Sequence, residues 1–148
     1  MTARVPSRKR PAPARSAPVA GYSGKSTLDK LGAKPGMKVA ALGLDSERAF
    51  LAELGARVGD LRTDRPARGT DMVIVRVDAG SALTRLAKLE TIIRPDGAIW
   101  VVWPKGQAHI KEGMIREAAL AQGLVDVKVC AFSGTLSALK LVIPVARR

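Results

Sequence analysis

The stretch Pro35 to Leu54, PGMKVAALGLDSERAFLAEL, constrains this chain more than any other. Pro35-Gly36 marks a turn. Met37 to Leu44 is almost wholly apolar, as a strand buried on both faces of a sheet must be. A tight turn follows at Gly43. Ser46 is expected to cap a helix over Glu47 to Leu54, with Gly55 ending it. Glu47 in the first turn suits the helix dipole, and Phe50, Leu51 and Leu54 form an inward stripe. A buried strand feeding a helix through a tight turn is the unit from which α/β sheets are built.

The rest of the chain repeats this alternation. Upstream, Ser26 can cap a short helix over Thr27 to Leu31, stopped by Gly32. Downstream, Ala56 to Leu61 reads as a short strand, and Arg62 to Thr70, with Pro66 and Gly69, as a loop. Asp71 to Asp78 is a β-branched strand. Ser81 is expected to cap a helix carrying Ala82, Leu86, Leu89 and Ile93 at helical spacing. Pro95-Asp96-Gly97 reads as a turn before the apolar strand Ala98 to Pro104. A weaker helix spans Glu112 to Gln122. Val125 to Phe132 and Leu136 to Val145 then face each other across Ser133-Gly134-Thr135, a hairpin signal. Strands alternating with helices imply right-handed crossovers and a largely parallel sheet, with the hairpin as an antiparallel edge.

Composition narrows the setting. At 148 residues the chain fits one domain, 21–148, preceded by a tail, 1–20. Cys130 is the single cysteine, which rules out an internal disulfide and a Cys-rich zinc site. The expectation is a cytoplasmic protein, with no membrane partner, since no apolar run approaches the roughly 20 residues of a spanning helix. The formal charge of +12 is unevenly placed. Arg4, Arg8, Lys9, Arg10 and Arg15 occur in the first 20 residues with four prolines and no acid, which predicts a disordered basic arm able to rest on phosphates. Solvation alone also accounts for such an arm, and no aromatic platform for single strands accompanies it.

Three segments resemble the class I methyltransferase architecture, a Rossmann-like three-layer α/β fold. PGMKVAALG (Pro35 to Gly43) is similar to its first strand and the start of its cofactor loop. TDMVIVRVD (Thr70 to Asp78) resembles its fourth strand, and IIRPDGAIWVVWPK (Ile92 to Lys105) its fifth. The resemblance implies about six strands in the order 2-1-4-5-7-6, without the usual third strand and its helix. A closer resemblance is to a short bacterial family of unknown function. It is carried by AGYSGKSTLDKLGAKPG, RPDGAIWVVWPK and GLVDVKVCAFSGTLSALKLV, with Leu136 where a tryptophan is expected.

The residues that bear chemistry are few. In the methyltransferase pattern an acid and several glycines let the backbone approach S-adenosylmethionine. Here Ala41 replaces the acid, and only Gly43 survives before Leu44, Asp45, Ser46 and Glu47. Gly43, Asp45, Asp60 (read as ending the second strand) and Asp78 are the candidate cofactor residues. Solvated strand-end acids explain them equally. GKST at Gly24 to Thr27 imitates the end of a phosphate loop, but lacks its first glycine and its feeding strand. Trp100 and Trp103 should lie on opposite faces of one strand, as core or as pocket wall. His109, the only histidine, sits in a polar loop with no assignable partner. Cys130 is either an inert buried thiol or, if exposed with a lowered pKa, a redox site. No metal site is expected.

Three functions fit these residues. The first is a non-catalytic α/β module that binds a protein or small ligand in regulation and needs no cofactor. The second is an S-adenosylmethionine-dependent methyltransferase with an atypical loop. The third is a protein associated with nucleic acid through its arm.

Overall fold

A computed structural model describes residues 26–148. The basic arm, with Gly24 and Lys25 of the GKST run, lies outside the described residues. Helix α1 (Thr27–Leu31) is capped as its sequence predicts: Ser26 Oγ accepts the Asp29 N–H, and Gly32 closes the helix in the left-handed region. Strand β1 (Lys38–Leu42) leads into α2 (Arg48–Val58), then β2 (Asp60–Arg62) and β3 (Thr70–Arg76). After a 3-10 turn, α3 (Arg85–Ile92), β4 (Ile93–Pro104), α4 (Glu112–Ala121), β5 (Val125–Ala131) and β6 (Leu136–Val142) complete the domain.

The six strands form one sheet in the order β2-β1-β3-β4-β6-β5. With a place kept for the absent third strand, this is the expected 2-1-4-5-7-6. The first four strands pair in parallel, and β6 runs antiparallel to both β4 and β5. One face, with Ala40, Val73, Val75, Ile99, Val101 and Leu139, packs against α3 and α4. The other, with Val39, Ala41, Met72, Ile74, Trp100 and Val102, packs against α1 and α2. The result is a three-layer sandwich of the Rossmann-like kind.

Four long-range hydrogen bonds fasten α1 and its flank to the sheet. Thr27 Oγ1 donates to the Phe132 carbonyl at 3.1 Å, and Lys30 Nζ to that of Ala131 at 2.9 Å. Lys128 Nζ donates to the Lys30 carbonyl at 3.2 Å, and the Trp100 indole N–H to that of Leu31 at 3.0 Å. Five residues alone would make a marginal helix, so these bonds and the burial of Leu28 and Leu31 hold it.

Three boundaries differ from the sequence reading. Helix α2 begins at Arg48 and runs through Gly55 to Val58, with Gly59 after it, and Ser46 makes no capping bond. Gly55 does not stop the helix, because the core packing of Leu54 and Val58 on either side of it carries α2 onward; a Cβ there would meet Leu61 Cδ2 at an ordinary 3.4 Å. Strand β2 therefore starts only at Asp60 rather than at Ala56. Strand β4 begins at Ile93, but its register against β3 jumps from Thr70–Ile93 to Met72–Ala98, so the expected turn at Pro95-Asp96-Gly97 survives as a bulge inside a longer strand rather than as a boundary before it. A Cβ on Gly97 would stand 2.8 Å from the Asp71 carbonyl oxygen, so only glycine permits that approach. Finally, Ser81 lies inside a 3-10 turn, Gly80–Thr84, and caps nothing; α3 starts at Arg85.

Candidate functional site

In open α/β sheets ligands bind beyond the carboxyl ends of the strands. Gly43 sits there, directly after β1, at φ +76. Its neighbour Leu44 turns inward and is fully buried with Leu54 and Val58. The Glu47 N–H donates to the Leu44 carbonyl at 2.8 Å, closing a tight turn. Asp45 and Ser46 are left exposed on that turn. The turn lies flush against the end of β3: a Cβ on Gly43 would stand 3.4 Å from Arg76 Cβ and 3.5 Å from its carbonyl oxygen. The Arg76 side chain is about three-quarters covered, and its Nε donates to Asp78 at 3.0 Å, while Gly43 itself stays exposed.

Gly43, Asp45 and Asp78 thus share the carboxyl end. Asp60 does not, and here the sequence reading is corrected. It begins β2 rather than ending it, in register with Lys38 at the start of β1. Five residues of extended chain separate Lys38 from Gly43, roughly 16 Å. The acid that follows the carboxyl end of β2 is Asp64, which the sequence reading missed. The inward stripe Leu51, Leu54, Val58 continues at helical spacing through Gly55, and following it would have moved the strand downstream and pointed to Asp64. The Arg65 backbone N–H bonded to the Asp64 carboxylate at 2.8 Å holds its pKa below the usual carboxylate value. Arg65 and Arg62 add attraction.

Two clefts flank this rim. The smaller, about 210 Å³, lies between the 63–69 loop and α3; Leu42, Pro66 and Leu89 contribute apolar groups, and Asp64, Arg65, Arg85 and Lys88 charged ones. The larger, about 460 Å³, opens where β4 ends and α4 begins, beside Trp103, Lys105, Ile110, Lys111 and Ser137. Trp100 and Trp103 do face opposite layers, each almost fully buried. His109 is exposed in the adjoining loop. Among the described residues no group of three or more His, Cys, Asp or Glu is placed to hold a metal ion, and no helix is long and apolar enough to cross a membrane.

Cys130 is half-buried on β5. Burial pushes its thiol pKa up, with Lys30 and Lys128 offsetting part of the effect. That direction is opposite to what redox sensing requires. Because the thiolate forms more readily in the unfolded chain, stability from this group is intact below the ordinary thiol pKa of about 8.5 and declines as pH rises past it. Native protein at pH about 8 is therefore expected to react with iodoacetamide more slowly than protein unfolded in urea. Equal rates would contradict the burial argument.

The layers, strand order and carboxyl-end rim define a Rossmann-like fold of the methyltransferase type. Solved structures bear this out. An S-adenosylmethionine-dependent methyltransferase from Aquifex aeolicus superposes with a TM-score of 0.63 at 14% identity, covering 79% of this chain and 87% of that one. A magnesium protoporphyrin IX methyltransferase from Synechocystis, solved with bound S-adenosylmethionine, gives 0.54 at 15%, covering 79% and 74%. A TehB-like methyltransferase from Corynebacterium glutamicum gives 0.53 at 12%, covering 79% and 85%. At such identities the likeness concerns the fold alone. The chain belongs to the DUF3052 family, described as a protein of unknown function, whose profile matches residues 28–145. No curated protein matches.

Proposed function

We propose that this chain is a binding module built on the methyltransferase scaffold and acting in regulation, without methyl transfer. The observation that carries this reading is the turn after β1, where Leu44 is drawn into the core and Asp45 and Ser46 stand in place of the glycines of a cofactor loop. Gly43 is exposed, but it is the one glycine there, and the neighbouring Arg76 is engaged with Asp78. An adenosyl group needs open main chain at that turn. Leu44, anchored in the core, holds the turn down. A thermal shift tests the reading. Ligand at 100 times its Kd stabilises by about 2.7 kcal/mol, so S-adenosylmethionine is expected to leave the melting temperature unchanged. A saturable increase would favour the methyltransferase alternative.

A second reading, contact with nucleic acid, draws support from a cationic ridge. Arg62, Arg65 and Arg68 on the β2–β3 connection, with Arg85 and Lys88 on α3, form no ion pair among the described residues, although Arg62 and Arg65 attract Asp64. The arm and the ridge would then engage phosphates together. Each set offers five cations, and five phosphate contacts correspond to a log-log salt slope of about −4.5. Deleting residues 1–20 is expected to weaken duplex DNA binding and flatten the slope by about that amount, leaving the ridge's share. Binding that ignores salt, or that is unchanged by the deletion, would refute it.

A further inference from the structure

From the cleft beside Trp103, we infer that this protein binds a small organic anion, with an apolar body and a carboxylate or phosphate head, where β4 meets the start of α4. The inference rests on the binding-module reading, and names the site and chemistry of its ligand. Three independent features converge there. Trp103 is 5% exposed and forms part of the cleft wall, yet its indole N–H donates to no acceptor among the described residues. A buried donor left unpaired is costly, and a ligand oxygen would relieve that cost. Its neighbour Trp100 shows the contrast, since its N–H is satisfied by the Leu31 carbonyl.

The second feature is the amino end of α4, ten residues long and without a side-chain cap. The Met114 and Ile115 amides are bonded to the Lys111 carbonyl, but the Glu112 and Gly113 amides have no partner, and Lys111 and Glu112 both line the cleft. Open amides at the positive end of a helix favour an anion. The third is charge. Lys105 and Lys111 both reach the cleft, are exposed and form no ion pair among the described residues. The acid beside them, Glu112, is drawn along the helix to Arg116, 2.6 Å away. Ala108 and Ile110 supply apolar wall, and the cavity of about 460 Å³ lies within the range of small-molecule sites. The Lys105 N–H bonded to the Thr135 carbonyl at 2.9 Å ties the loop to the hairpin, so the cleft is preformed.

The test uses the two indole N–H resonances of the full chain, one from each tryptophan. Benzoate, phenyl phosphate and inorganic phosphate are titrated to millimolar levels, with benzamide as the uncharged control. The Trp103 signal should shift saturably with an anion while Trp100 stays still. The tighter of benzoate and phenyl phosphate identifies the head group. Lys105→Gln and Lys111→Gln alter exposed side chains and should fold normally. Each should lower affinity about tenfold, the size expected for losing one charge-assisted hydrogen bond. Trp103→Phe keeps the ring and removes the donor, and should also weaken binding. The inference is overturned if no anion moves the Trp103 signal, if benzamide binds as well, if both indoles move together, or if the lysine variants bind unchanged. These outcomes are separable from those of the S-adenosylmethionine test. S-adenosylmethionine bound at Gly43 would stabilise the protein without passing through the lysines, and would refute the proposed function while leaving this cleft to stand or fall by its own titration.

Discussion

Trp100→Ala is expected to cost about 3–5 kcal/mol, the usual range for emptying a buried aromatic site. Small domains have only about 5–15 kcal/mol in total, so the variant should lose a large fraction of its stability and unfold at a markedly lower urea concentration. The reason lies in position. Trp100 stands in the middle of β4, between β3 and β6, with no exposed surface. Its ring fills the layer beneath α1, and its N–H holds the Leu31 carbonyl. Truncation removes the packing and orphans a buried acceptor together. Trp100→Phe separates the two contributions: it keeps most of the ring and should lose only about 1–3 kcal/mol. Urea denaturation measures both. A Trp100→Ala protein as stable as the parent would mean that α1 is not docked on this face.

Leu44→Ala is the second large effect, expected at about 2–5 kcal/mol. Leu44 belongs to the turn after β1, where a solvent-facing residue would be the ordinary expectation, but it is fully buried among Leu54, Val58 and their neighbours. Asp45→Ala, one residue on and exposed, should change stability by no more than about 0.5 kcal/mol. The contrast between adjacent positions is the informative quantity. Equal small effects at both would show that the turn is not anchored, and with it would go the argument that this turn cannot open around an adenosyl group.

Much of this architecture could be read from the chain. The Ser26 cap, the Gly32 stop and the apolar runs of β1 and β3 are local signals with local causes, and they appear where the residues place them. The misread boundaries share a different cause. Gly55 is a breaker by itself, but the core packing of Leu54 and Val58 carries α2 through it, and Pro95-Asp96-Gly97 becomes a bulge inside β4 because pairing with β3 holds on both sides of it. Tertiary contact overrode propensity, and the displaced β2 carried Asp60 to the wrong end of the sheet. At the site, the poverty of glycine after Gly43 was visible, and so was its consequence of crowding. The manner was not. Leu44 does not crowd a ligand; it faces the core and pins the turn, while Arg76, thirty-odd residues away in sequence, comes beside it and pairs with Asp78. Of the cleft, only Trp103 was legible, as core or pocket wall; its other walls come from the loop after β4, α4 and β6, and only the fold brings them together.

The central claim, that the anchored turn after Gly43 does not accept an adenosyl cofactor, is most directly tested at the amides themselves. In a two-dimensional amide spectrum with saturating S-adenosylmethionine, the signals of Gly43 through Glu47 and of Asp78 should not move. Saturable shifts confined to those residues would show the cofactor seated between the turn and β3, and would contradict the account.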